Sequence, residues 1–356
     1  MAEKFKPGGL QTWIGSLPID SHIDAVRLMA QHTPEIPVWI QLPIFKAEGM
    51  IAQALAGMPG LVRDGEREFI CADNSAFDTE IISFFEEYLE VAEGKRAISD
   101  SRFAMTKQAA PGFFEFIKYL ESLENLPAAI KGQVVGPFTF STSVKDQDGR
   151  AVFYHPELKE ASTKCIATKA RWQVSQLKKY KIPVIIFLDE PGLAAFGSSA
   201  FISITKEDIH TCLSEVIAAV HEEGAIAGVH VCANTDWSLV LDSSADIASF
   251  DAYSFFDRFI LYEKQIKHFL QRGGILAWGI VPTGNISQVD QENVDSLFNR
   301  WKDQVHQIAA LGFDEKQIVA QSLITPSCGT GSLPLDRALK VIQMTREISL
   351  KIRRNF

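Results

Sequence analysis

The chain has 356 residues, 46% of them hydrophobic and 22% charged, and its 35 basic against 44 acidic residues give a formal net charge of −9. Nucleic acid is thereby disfavoured as the main partner, because phosphate binding needs clustered Lys and Arg, and the basic run at 351–356 is short. No apolar run approaches the ~20 residues of a membrane helix, the opening MAEKFKPGGLQTW lacks a signal-peptide pattern, and the five scattered cysteines do not suggest a disulfide framework. A cytoplasmic protein with free thiols, no membrane and no nucleic-acid partner is expected.

In chain order, strand-like runs occur at 12–17 (TWIGSL), 37–42 (PVWIQL), 132–136 (GQVVG), 183–189 (PVIIFLD), 226–231 (IAGVHV), 247–251 (IASFD), 275–281 (ILAWGIV) and 317–323 (QIVAQSL). Most are continuously apolar, as strands covered on both faces of a parallel sheet are. Helical periodicity fills most gaps. Segment 206–223 is the clearest case, with Ile209, Cys212, Leu213, Val216, Ile217 and Val220 on one face, Thr205 as N-cap and Gly224 as the stop. Segments 288–311 and 335–351 read similarly. Residues 44–131 hold two or three helices, including 78–92 and 110–122, and read as a largely helical insertion between the second and third strands. The pattern predicts a single domain over 1–356, a (β/α)8 TIM barrel. A doubly wound open sheet is the alternative, weakened by the lack of a G-x-G-x-x-G turn after an early strand.

In such a barrel the active site lies at the C-terminal strand ends. The fourth predicted strand ends in Asp189-Glu190-Pro191 and the fifth in His230-Val231-Cys232. The sixth ends at Asp251, and the eighth runs into Pro326-Ser327-Cys328-Gly329. Alternate residues of a strand share a face, so His230 and Cys232 can grip one ion, and imidazole and thiolate are both zinc ligands. As a pair alone they fit a core histidine and a buried thiol better than a metal site. Cys328, in a turn of small residues across the predicted barrel mouth, can complete the set. Three protein ligands and an open position describe a catalytic zinc site, and a thiolate-rich set favours holding an incoming thiol over hydrolysis. A chain this long needs no metal to stabilise its core. Asp189 is a carboxylate ending a buried strand; it fits an ammonium-binding residue, or else a helix cap or loop salt bridge.

Ile14-Gly15-Ser16-Leu17-Pro18, Gly136-Pro137-Phe138-Thr139, Asp189-Glu190-Pro191, His230-x-Cys232 and Pro326-Ser327-Cys328-Gly329 occur in that order. This series resembles the superfamily that joins uroporphyrinogen decarboxylase with cobalamin-independent methionine synthase, and is closest to the catalytic C-terminal domain of the latter. The resemblance spans nearly the whole chain. It implies a (β/α)8 barrel and zinc held by His230, Cys232, Cys328 and an acidic residue, at which position this chain has the shorter Asp251. It also implies that Asp189 contacts the amine of homocysteine and that the Gly15-Ser16 backbone receives the substrate carboxylate. Glu48 is the one candidate for a second amine-binding carboxylate.

Two departures bear on the methyl donor. The chain lacks the synthase's extra N-terminal barrel, and Val281-Pro282-Thr283-Gly284-Asn285 has no His where the synthase places one to protonate its folate leaving group. A methyl-corrinoid protein, whose cobalt centre leaves without an acid, is therefore expected as donor ahead of methyl-folate. The acceptor expected is a small thiol, homocysteine first and coenzyme M second. A metal-free decarboxylase on the same scaffold and a non-catalytic binder of a thiol or corrinoid partner are the other readings.

Overall fold

The computed structural model describes residues 5–65 and 67–356. A two-stranded antiparallel hairpin, β1 (Leu61–Asp64) and β2 (Arg67–Ile70), precedes six parallel strands in sequential order. These are β3 (Ile130–Val135), β4 (Val184–Asp189), β5 (Ile226–Val231), β6 (Ile247–Phe250), β7 (Ile275–Val281) and β8 (Ser322–Pro326). Each β3–β8 crossover carries at least one α-helix, as parallel pairing requires. The concave face of the sheet is filled by Ile185, Phe187, Ile247, Ile275, Ala277 and Leu323 together with Ile14 and Ile36. A larger apolar cluster packs the opposite face against the helices.

The closed eight-stranded barrel predicted from the sequence is not formed. The parallel sheet has six strands, and the first two predicted strands, 12–17 and 37–42, make only isolated bridges: Gln11 with Ile324, Val38 with Lys131 and Ser16 with Gln41. The local cause is visible in the backbone. Gly15 sits at φ +143°, outside strand geometry, and a Cβ there would lie 2.7 Å from Gln133 Nε2. Pro37 and Pro43 bracket the second segment and have no N–H to give a ladder. These extended segments still lie along the sheet edges through Thr12 N to Ile324 O (3.1 Å) and Trp39 N to Lys131 O (3.1 Å).

Smaller differences have similar local causes. The predicted eighth strand at 317–323 is mostly helix Glu315–Ala320, started by Asp314 accepting from Lys316 N, and the strand itself begins at Ser322. The helix read over 288–311 is two, Ile286–Gln291 and Val294–Ala309, because Asn293 and Ser296 form a capping box between them. Helices Lys206–Glu222 and Leu335–Asn355 match their patterns, the first with a capping box between Thr205 and Asp208. Within 44–131 lie the helices Ala52–Leu55, Phe77–Ala92 and Pro111–Glu121, with the β1–β2 hairpin between the first two.

Glu190 locks the strand ends together. It is fully buried, and its carboxylate accepts from Phe138 N (3.0 Å), Thr139 N (2.8 Å) and Thr139 Oγ1 (2.5 Å) at the start of helix Pro137–Ser143. Gly136 permits this approach, since a Cβ there would lie 2.1 Å from the Glu190 carboxyl carbon. Burial pushes the Glu190 carboxyl up to about 7, against the pull of those three bonds. Glu190→Ala strands two buried amides, each costing about 1–3 kcal/mol. A lowered midpoint of chemical denaturation is therefore expected, with Glu190→Gln affected less; equal midpoints for wild type and Glu190→Ala contradict this role.

Candidate metal centre

His230 and Cys232 come from the end of β5, and Cys328 from the loop after β8. His230 Nδ1 lies 2.9 Å from Ser249 Oγ on the neighbouring strand β6, its ladder partner. That bond turns Nε2 away from the sheet, and Nε2 is buried without a partner. Cys328 is held by the loop around it. Ser327 N donates to Val281 O (2.8 Å), Ser327 Oγ accepts from Thr283 N (3.1 Å), and Thr330 N donates to Ser16 O (3.1 Å). A side chain at 329 would collide with Ser16, because a Cβ there would be 2.1 Å from Ser16 Oγ.

One ligand atom from each of His230, Cys232 and Cys328 lies within 4.8 Å of the others. The edges of a tetrahedral zinc site with nitrogen and sulfur ligands are roughly 3.5–3.8 Å, so small side-chain adjustments bring all three to one ion. The unpartnered imidazole nitrogen and the pair of thiols therefore fit a soft divalent metal. A hydrogen bond from Cys328, aided by His230, pulls the Cys232 thiol down to about 4, while the Cys328 thiol is pushed well above its ordinary range.

These three residues face a cavity of about 380 Å³ that is also lined by Ser16, Gln41, Glu48, Met50, Asp189 and Gly331. Asp189, at the end of β4, has Oδ1 buried and without a partner. Burial pushes its carboxyl up to about 6, opposed by His230 and Lys131. Ser16 lines the same wall, with Oγ accepting from Gly331 N at 3.2 Å. The backbone turn at Gly15 directs that segment toward the cavity-lining loop 329–331. Glu48 is 2% exposed and bonded to His22 Nε2 (2.6 Å) and Leu42 N (3.2 Å), and burial raises its carboxyl above its usual range. Asp251 is not drawn into the cluster of three. Its Oδ1 accepts from Ser254 N (2.8 Å) as the N-cap of helix Ala252–Phe259, and burial raises its carboxyl.

Sequence reasoning missed three contributors. Ser249 orients His230, and the alternation within IASF places it on the same face as Asp251. Gln41 reaches the cavity from an irregular segment. Lys131 is a fully buried cation beneath the cavity wall.

No family model and no curated protein matches the chain. It is similar in structure to a methyltransferase from Methanosarcina mazei, with TM-score 0.52 and 14% identity over 95% of this chain and 93% of that one. It also aligns with a GH20 catalytic module of a pneumococcal exo-beta-D-N-acetylglucosaminidase, at TM-score 0.47 and 8% identity over 96% of this chain and 85% of that one. A GH26 endo-beta-1,4-mannanase catalytic domain from Bacillus sp. JAMB-750 aligns at TM-score 0.40 and 12% identity over 97% and 94%. At such identities the likeness to the methyltransferase is one of fold, and the two glycosidase alignments are too loose to bear on function. Among the described residues no helix is long and apolar enough to cross a membrane.

Proposed function

We propose that the protein is a zinc-dependent methyltransferase that methylates a small thiol, homocysteine foremost, with a methyl-corrinoid protein as donor ahead of methyl-folate. The observation that carries this reading is that one ligand atom each of His230, Cys232 and Cys328 lies within 4.8 Å of the others at the wall of a cavity. The fold shared with a methyltransferase supports it. Zinc held by two thiolates and an imidazole supplies the positive charge that keeps an acceptor thiol deprotonated at neutral pH. The protein's own residues do the rest. Asp189 offers an unpartnered carboxylate to an ammonium group, Ser16 and the 329–331 loop give the carboxylate end a close-fitting wall, and Glu48 closes the far side.

Donor choice rests on two features. The loop after β7 carries Thr283 bonded to Ser327 and no acid facing the cavity, which suits a leaving group that needs no proton. Ile44 and Phe45, exposed apolar side chains next to the cavity-lining Pro43, and the partly exposed, cavity-lining Met50 form a surface at the cavity that suits contact with a donor protein.

Metal analysis and turnover test this together. Purified protein is expected to hold about one zinc per chain and to make methionine from homocysteine with methylcobalamin, faster than with methyl-folate. Zinc-free protein that is fully active overturns the metal reading. Zinc-loaded protein that methylates no thiol with either donor overturns the activity.

A further inference from the structure

Pro43, Glu48 and Met50 form one side of the cavity. Within 43–50 Glu48 alone is buried, while residues 43–47 and Met50 are exposed. The segment bonds its own backbone locally: Phe45 N donates to Leu42 O (2.9 Å), Glu48 N to Phe45 O (2.9 Å) and Gly49 N to Lys46 O (3.1 Å). A stretch with so little buried apolar surface opens locally at low cost. The burial of Glu48 therefore decides whether this side of the cavity holds its shape.

A carboxylate is costly to bury unless its oxygens are bonded. Glu48 Oε2 accepts from Leu42 N (3.2 Å), at the edge of the same stretch, and Oε1 lies 2.6 Å from His22 Nε2, which comes from outside it. The same imidazole stacks on Phe45, with ring centres 5.5 Å apart and planes 18° from parallel. His22 is itself well fixed. It opens helix His22–His32, which Ser21 caps by accepting from Asp24 N. Its ring lies against helix Pro111–Glu121, where a Cβ at Gly112 would be 3.2 Å from His22 Cδ2. One imidazole thus holds two residues of segment 43–50. After these bonds each Glu48 oxygen keeps a lone pair. An apolar side chain would fill this place without a partner, so a carboxylate at a cavity-lining position suits an N–H donor on a bound molecule.

We propose that His22 is a positioning residue for the acceptor: by bonding Glu48 and stacking on Phe45 it latches segment 43–50 against the cavity and presents the Glu48 carboxylate to an N–H donor of the bound thiol. This rests on the proposed function and adds to it a determinant of acceptor binding that lies outside the cavity lining.

Hydrogen exchange of the Glu48 and Gly49 amides reads the latch, and calorimetric titration of zinc-loaded protein with homocysteine reads its consequence. His22→Phe keeps a ring on Phe45 and removes the bond to Glu48. It is expected to speed exchange of both amides at least about tenfold and to weaken homocysteine at least about tenfold, with zinc content and the exchange of β5 unchanged. His22→Gln restores a donor to Glu48, and both readouts should return to within about threefold of wild type. His22→Phe combined with Glu48→Leu removes the carboxylate that needs the bond. Exchange should then return to within about threefold of wild type while homocysteine stays weak, which preserves the test if His22→Phe alone does not fold. Wild-type exchange in His22→Phe, wild-type affinity despite faster exchange, or no rescue by His22→Gln overturns the inference. A wild-type protein that binds no homocysteine overturns the parent reading and with it the acceptor role, while the exchange result still decides the latch.

Discussion

Cys232→Ser and Cys328→Ser are each expected to yield folded protein that has lost its zinc. Serine replaces a thiolate by a hydroxyl that does not ionise near neutral pH, and each change removes one of the three convergent ligands. A three-ligand site with one ligand gone should fall from about one zinc per chain to a small fraction of that after dialysis. The fold should persist, because the apolar clusters on both faces of the sheet are built without the metal. Circular dichroism and the thermal midpoint report the fold, and atomic absorption reports the metal. Full zinc retention in either variant removes that cysteine from the ligand set. Unfolding of both variants would mean a structural metal and would weaken the case for catalysis.

Asp189→Asn is expected to raise the apparent KM for homocysteine steeply and to leave 2-mercaptoethanol nearly unaffected. Asp189 Oδ1 is buried with no protein partner in a cavity it shares with the three candidate ligands. An ammonium group at that oxygen would complete a buried ion pair, and removing one partner of such a pair costs about 3–5 kcal/mol. At about 1.4 kcal/mol per tenfold, that is roughly a hundredfold or more in KM. Zinc content should not change, since the side chain is outside the cluster of three. Equal losses with both thiols would assign Asp189 a general supporting role. An amine-free acceptor would then be the better reading.

Strands β4 to β7 were legible because each is a largely apolar run, which is what two-sided burial demands, whereas most of the segment read as the eighth strand is helix. The segments around Trp13 and Trp39 have the same composition yet form no ladder. A pattern of side chains does not reveal that Gly15 takes φ +143°. His230 and Cys232 were readable as a pair from the two-residue period of a strand. Cys328 stood out by the small residues around it, whose need appears only once Ser16 is seen against Gly329 and Gly331. Lys131 was not legible. A lysine at the head of GQVVG reads as the residue before a strand, and its burial depends on acceptors from Ile14 and Gln133, one of them far off in sequence. Glu190 was noticed as part of a motif, but its task of receiving the amides of Phe138 and Thr139 follows only from the adjacency of β3 and β4.

The loop that carries Cys328 rests on Ser16, with Thr330 N and Oγ1 both donating to Ser16 O. That contact ties metal capture to the order of synthesis. A growing chain displays His230 and Cys232 before Cys328 has been added, and two ligands are a poor trap for zinc. The third arrives only when a late segment folds back onto an early one. Loading of the proposed metal would thus follow translation through residue 330, and a product truncated short of that point would carry both β5 ligands and no complete site.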